Sequence, residues 1–406
     1  MLPTFEQALA MVKEKVAEAR TDPPGETSPL AEVRGRVLAE DVLADRDTPP
    51  FARAARDGFA VRSGDLGSLP VRLECVGEAR AGKPWTGDLA GHPRACVEIM
   101  TGAPVPRGAD AVVMIERVRV EGSKVEFERA IGRGENVVAK GSEARAGALV
   151  LPRGRRVRPA EMGLLAAVGR TEVRVFQRPT VAILSTGDEV VDHAAAPQWF
   201  EIRNTNAVTL AAQVEAAGGI PRLLGIAADR IEVLRERIQE GLKSDLLLIS
   251  GGVSAGKYDF VEDVLAEAGA EAYFRGVMIQ PGKPLVFGRA KEKFFFGLPG
   301  NPVSVFATFQ LFARPALLML AGAEPPPSPL FLRARLGKCV RQKPGLTRFL
   351  PAHVEAGAGD PAVSLVGWQG SGDLIGLAAA NCFLVVRPDR PEIAEGEWVD
   401  VLTFDD

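Results

Sequence analysis

Thr180-Val181-Ala182-Ile183-Leu184-Ser185-Thr186-Gly187-Asp188-Glu189 is an apolar run that breaks into hydroxyls, a glycine and two carboxylates. The same pattern returns in Asp245 to Ile249, which runs into Ser250-Gly251-Gly252-Val253-Ser254-Ala255-Gly256, and in Phe294-Phe295-Phe296, which leads to Leu298-Pro299-Gly300-Asn301-Pro302-Val303-Ser304. Helical periodicity over Ala207 to Ala217, Ile231 to Leu242 and Phe260 to Ala268 separates these runs. Unbroken apolar strands with interposed helices predict a parallel sheet covered on both faces. Ligands of such sheets bind beyond the carboxyl ends of the strands. Three of these turns, with Pro281-Gly282-Lys283-Pro284 as a fourth, therefore predict one composite anion site.

Each turn has a plain structural reading beside the functional one. Ser185, Thr186 and Glu189 follow a buried strand, where a polar turn also serves as a helix cap. Gly251, Gly252 and Ser254 form a segment whose backbone N–H groups can approach a phosphate closely, although neither GxxxxGK[ST] nor GxGxxG is present. Two prolines fix Lys283, an arrangement suited to oxyanion recognition. Asn301-Pro302 reads equally as an N-cap with proline at the first helical position and as a helix N-terminus facing an anion. Asp57, Glu189, Asp229 and Asp259 end strands or lie in turns. Singly they are cap or turn residues; three brought together would repel one another unless a divalent cation lay between them.

The flanking sequence has other textures. Phe5 to Arg20 carries a 3.6-residue apolar stripe after Thr4, and a second helical segment is predicted around Leu30 to Glu40. Short alternating segments between Gly/Pro turns mark a β-rich stretch, which includes Met100-Thr101-Gly102-Ala103-Pro104. Ala160 to Val168 returns to helix. A β-hairpin at Pro284 to Phe287 and Phe294 to Phe296 precedes a long apolar helix from Pro302 to Leu320 and a proline-rich linker at 324–329. The expected organisation is a helical domain in two pieces (1–45 and 143–176), a β-rich domain inserted between them (46–142), the α/β domain (177–326) and a C-terminal β domain (327–406).

With 49 basic and 52 acidic side chains among 406 residues, nothing in the charge calls for nucleic acid. The chain start lacks a secretory pattern and no apolar run is read as long enough to span a bilayer, so a cytoplasmic protein is expected. Cys75, Cys96, Cys339 and Cys382 lack CxxC spacing and are expected to be buried thiols. The three histidines are isolated, which disfavours imidazole metal sites and Ser/His triads.

In order, Arg56-Asp57-Gly58-Phe59-Ala60-Val61, the Met100 to Met114 segment, STGDE, SGGVSAG with Asp259 downstream, PGKP and LPGNPVS resemble the molybdopterin molybdenumtransferase family, which includes the E domain of gephyrin-type proteins. That resemblance implies an α/β and β multidomain fold: a central three-layer molybdopterin-binding α/β domain, a helical domain, an inserted β-rich domain and a C-terminal β-barrel-like domain. It implies a homodimer that converts adenylylated molybdopterin and molybdate into molybdenum cofactor, releasing AMP with the help of Mg²⁺, and neighbouring pathway enzymes as partners. Asp57, Thr101, Glu189, Asp229 and Asp259 fall on active-site positions of the family, the Mg²⁺ ligands among them being Glu189, Asp229 and Asp259. Pro299 and Pro302 shape the pocket, and Lys283, Pro284, Ser304, Arg348 and Ser371 match molybdate-contacting positions. Ala54-Ala55-Arg56, Phe59, Gln280 and Ser142-Glu143 depart from the family pattern. The competing readings are a molybdopterin adenylyltransferase and a non-catalytic scaffold dimer.

Overall fold

The computed structural model describes all residues except 20–21, 253–259, 326–327, 358 and 405–406. The chain forms two compact units, one of Met1–Glu40, Arg153–Arg158 and Glu172–Asp406, the other of Asp41–Pro152 and Pro159–Thr171.

In the first unit, strands β1 (Thr180–Thr186), β2 (Ile220–Ala227), β3 (Leu246–Ser250), β4 (Glu271–Arg275), β5 (Val286–Ala290) and β6 (Lys293–Leu298) make a sheet of order β2-β1-β3-β6-β5-β4. The first four strands of that order are parallel, β5 runs against them, and β4, paired antiparallel with β5, runs in their direction again. The apolar strands alternate between two cores. Leu246 and Leu248 point into one with Val181 and Ile183, while Leu247 and Ile249 point into the other with Ala182 and Leu184. Both faces are covered, which is why these strands show no polar alternation.

Helix α1 (Phe5–Ala19) buries Phe5, Ala8, Val12 and Val16 in the first of these cores. The helices α2 (Thr205–Ala216) and α3 (Ile231–Gly241) follow β1 and β2, and α4 (Val261–Glu267) follows β3. The last, α5 (Pro302–Leu320), has a mean hydropathy of 1.6 and is 78% buried. By length and composition it could span a bilayer, contrary to the sequence reading; its composition is accounted for by its position in the core. Its middle, Phe309–Ala313, widens into a π-helical turn. Just before that turn, the Thr308 hydroxyl donates back to the Ser304 carbonyl at 2.7 Å, a local bond that competes with the helical ladder.

Five C-terminal strands, β7 (Phe331–Leu336), β8 (Thr347–Glu355), β9 (Ala362–Leu365), β10 (Cys382–Val386) and β11 (Trp398–Thr403), pair as β8-β9-β7-β11-β10 and close through β10 to β8. Alternation decides what fills the barrel. Leu350, Leu384 and Val401 line its interior, whereas their neighbours Phe349, Phe383 and Leu402 join the core shared with the α/β sheet. The multidomain α/β and β architecture and the barrel are therefore present.

The second unit holds a six-stranded sheet with the order Ala111–Met114, Gly58–Val61, Ala95–Ile99, Val71–Ala79, Lys124–Phe127 and Val118–Glu121. Two expectations fail locally. The segment around Leu30 to Glu40, read as helix, is one short turn at Leu30–Glu32, and Gly25–Pro29 before it pairs as a strand with Glu172–Phe176. Gly35 at φ +79° breaks the helical pattern that the apolar spacing offered. The thiols are not uniformly buried either: Cys339 is exposed and Cys75 half-buried.

Phe5 lies edge-on to Phe312 of α5 at 5.7 Å and to Phe349 of the barrel at 5.6 Å, and is 6% exposed. Phe5→Ala is expected to cost about 3–5 kcal/mol of unfolding free energy. Urea unfolding followed by circular dichroism measures it, and a loss under about 1 kcal/mol would show that the site collapses around the gap.

Candidate functional site

The parallel strands end level with one another. Ser185 at the end of β1 pairs with Ser250 at the end of β3, Ser250 pairs with Leu298 at the end of β6, and Thr186 pairs with Ala227 at the end of β2. The loops that follow start side by side and carry Glu189, Asp229, Gly251 and Pro299 to the rim of one cleft of about 500 Å³. Gly251 is at φ +90°, and a Cβ there would lie 2.8 Å from the Thr186 carbonyl oxygen, so only glycine permits this approach of two loops.

Thr186 is buried at the cleft and its Oγ1 has no hydrogen-bond partner among the described residues. Asn206 donates to the Gly300 carbonyl at 2.7 Å and to Ser250 Oγ at 3.3 Å, while its Oδ1 is buried without a partner among the described residues. Two buried polar atoms left unmade beside one cavity are costly in the empty protein and are the groups a polar ligand would satisfy.

The helix ends reach the same place. Asn204 caps α2, accepting from Ala207 N at 3.1 Å, and its Oδ1 also accepts from the Ser185 hydroxyl at 3.1 Å. Asn301 does not cap α5. It donates instead to Ser371 Oγ at 2.9 Å, and the Ser371 carbonyl accepts from Val303 N at 3.0 Å. The C-terminal domain thus supplies the partner that the α5 N-terminus would otherwise take from its own cap. A second tie joins Gln280, whose side-chain oxygen accepts from the Arg348 guanidinium, while Ile279–Gln280 pairs in parallel with Thr347 and Arg348. A lysine in place of Gln280 would set a like charge against Arg348.

The expected site residues divide as follows. Ser185, Thr186, Glu189, Asp229, Gly251, Gly252, Pro284, Pro299 and Pro302 all line the cleft. Lys283 is exposed beside Pro284, Ser304 is buried in the first turn of α5, Ser371 bonds Asn301 of the cleft lining, and Arg348 bonds Gln280, which does not line the cleft. Ser254 and Asp259 lie outside the described residues. Asp57 and Thr101 belong to the second unit, where Gly58 pairs with Ile99 and so brings the two adjacent chain ends together. Asp57 accepts from Thr101 N at 2.6 Å and Thr101 Oγ1 at 2.7 Å, bonds that hold its carboxyl below the ordinary range. Arg203, Asn204 and Asn206 also line the cleft and were not among the expected residues. An Arg-Asn-Thr-Asn stretch just ahead of an apolar helix was the available signal, because it is an N-cap pattern at the ligand-binding edge of the sheet.

One rim is acidic. Asp229 donates its backbone N–H to Asp188 Oδ1 at 3.1 Å, and partial burial together with the Asp188 and Glu189 carboxylates raises Asp229 above the ordinary carboxylate range. Hard oxygen donors that repel one another suit a divalent cation, and Glu189 and Asp229 could hold one; among the described residues no group of three or more such side chains is assembled.

Three segments match known families in order: residues 3–169 the MoeA N-terminal region (domain I and II), 182–319 a probable molybdopterin binding domain, and 333–404 the MoeA C-terminal region (domain IV). The chain is 35% identical over 376 residues to a molybdopterin molybdenumtransferase of Bacillus subtilis (strain 168), covering 90% of this chain and 87% of that one. It is 33% identical to one from Haemophilus influenzae (strain ATCC 51907 / DSM 11121 / KW20 / Rd), covering 92% and 93%. Among solved structures, a molybdopterin biosynthesis moeA protein from Pyrococcus horikoshii OT3 superposes over the whole of both chains with a TM-score of 0.80 at 30% identity.

Because native Asp229 binds its proton more tightly than the unfolded chain does, it adds stability at low pH that is lost as pH rises through its native pKa. Asp229→Asn is expected to melt roughly 1–3 °C above the parent at pH 7 without divalent cation and to converge with it near pH 4. Scanning calorimetry at the two pH values checks this; a variant that melts below the parent at pH 7 contradicts the repulsion.

Proposed function

The chain belongs to the molybdopterin molybdenumtransferase family, enzymes of molybdenum cofactor biosynthesis, and we propose that its cleft inserts molybdate into adenylylated molybdopterin and releases AMP. The observation that carries the proposal is the level ending of β1, β3 and β6, which gathers hydroxyls, glycine backbone and carboxylates around two unpartnered buried polar atoms. A phosphate of the substrate fits against the Gly251-Gly252 backbone, where Thr186 Oγ1 can donate to it, and Asn206 Oδ1 accepts from a ligand N–H or O–H.

Molybdate, as substrate, is a tetrahedral dianion. The donors proposed for it are Lys283, Arg348, Ser304 and Ser371, with Pro284 shaping the approach. The bonds from Ser371 to Asn301 and from Arg348 to Gln280 support this reading, since they bring C-terminal-domain donors to the PGKP and PGNP loops. Glu189 and Asp229, with Asp259 as third ligand, are the proposed holders of Mg²⁺. When bound, that ion would neutralise charge on the phosphoanhydride as the link to AMP breaks. Asp57, oriented by Thr101, is proposed as an acid–base group. The resemblance further supports a cytoplasmic homodimer as the working form.

The test is incubation of the purified chain with adenylylated molybdopterin and Mg²⁺, with and without molybdate, while AMP release is followed by chromatography. AMP release should require molybdate, and Glu189→Gln should lower it on the order of 10²-fold while leaving the melting temperature within a few degrees. ATP-dependent adenylylation of free molybdopterin, in place of molybdate-dependent AMP release, would establish the adenylyltransferase reading; no turnover of either kind would leave the scaffold.

A further inference from the structure

A second cavity, of about 610 Å³, opens beside the carboxyl end of α2 and the middle of α5. These are the two helices whose N-termini line the cleft. Gln213 lies seven residues beyond Asn206 and Gln310 eight beyond Pro302, so the cavity sits roughly 10–12 Å further along each helix. None of its lining residues lines the cleft.

Among the described residues its walls are basic: Arg34, Arg36, Arg156, Arg178 and Arg314 line it, with the carboxylates of Glu32 and Glu215. Arg178 donates Nε and Nη2 to the Gly218 and Gly219 carbonyls at 3.0 and 2.5 Å, which fixes the plane of its guanidinium. Arg156 donates to the Ala216 carbonyl at 3.0 Å at the end of α2, and Arg36 is anchored by Glu26 and by the Phe176 carbonyl at 2.7 Å. Helix and loop carbonyls therefore hold several of these cations in place, while Arg34 is exposed at the mouth. Capping alone explains Arg156 and Arg178.

It does not explain the floor. Gln213 and Gln310 are 7% and 9% exposed, and Gln310 Nε2 donates to Gln213 Oε1 at 3.0 Å. The Gln213 amide nitrogen is buried with no partner among the described residues. Turning both amides over would place Gln213 Oε1 at that position, so a buried amide atom is left unmade there under either assignment. The π-helical turn Phe309–Ala313 carries Gln310, and such turns are frequent at functional sites.

We propose that this cavity is a second binding site, separate from the cleft, for a small, multiply charged phosphate compound. The arginines come from separate chain segments and approach from several sides, which suits the tetrahedral oxygens of a phosphate; a planar carboxylate is served by one guanidinium fork. The volume lies within the range of small-molecule pockets, so the ligand is larger than a lone oxyanion. Since α2 and α5 reach both sites, occupancy here bears on the same helix ends that line the cleft.

Isothermal titration of the full chain with inorganic pyrophosphate tests the proposal. Saturable binding is expected, weakened at least tenfold by Arg34→Glu and by Gln213→Leu, and unchanged in the cleft variant Asn206→Ala. Arg34 is exposed, so its variant decides the matter even where Gln213→Leu fails to fold. Absence of binding, or binding that survives Arg34→Glu and is lost in Asn206→Ala, overturns it.

Discussion

Ser185, Ser250 and Leu298 stand side by side because three parallel strands are held in register by an apolar core on each face. A parallel strand shifted by one residue would exchange the inward and outward sets, moving Leu247 and Ile249 into the core built for Leu246 and Leu248. The sizes of the side chains on the two faces therefore fix the level at which the strands stop. That level in turn decides whether Thr186, Gly251 and Pro299 meet. The chemistry of the cleft rests on packing some distance below it.

The C-terminal barrel extends the same logic. Alternate residues of β8, β10 and β11 serve two cores at once, so the barrel and the α/β sheet share one of them. Phe5 reaches into this junction from the N-terminal helix. Polar contacts then set the finer position: Asn301 with Ser371, and Gln280 with Arg348. Exposed ion pairs elsewhere on the surface contribute little to this arrangement, because solvent and salt screen them.

Much of the fold was legible in the sequence because β1, β3 and β6 are apolar on consecutive residues and the turn after each is polar. The cleft followed from the same pattern, and nine of the expected residues line it. What the sequence misassigned has local causes. Asn301 precedes a helix and a proline, which matches an N-cap, yet its side chain is taken by Ser371, seventy residues away. The apolar spacing of Leu30 to Glu40 imitated a helix that Gly35 interrupts. Arg203, Asn204 and Asn206 were overlooked because cap residues carry no mark that separates capping from ligand contact. The cavity beside Gln213 was invisible for a different reason: its arginines are scattered from position 34 to 314 and share no motif.

The widened turn at Phe309–Ala313 has a consequence for how this chain tolerates change in length. A π-helical turn accommodates one residue more than an α-helical one, so it acts as a phase adjuster between the two halves of α5. Deleting one residue there would restore ordinary winding and leave Leu317, Leu318 and Met319 in nearly the same phase relative to Pro302, because the wider turn has already absorbed that residue. The cleft end and the core end of the helix would then still face their partners together, whereas a single-codon deletion elsewhere in α5 would turn one half about 100° against the other.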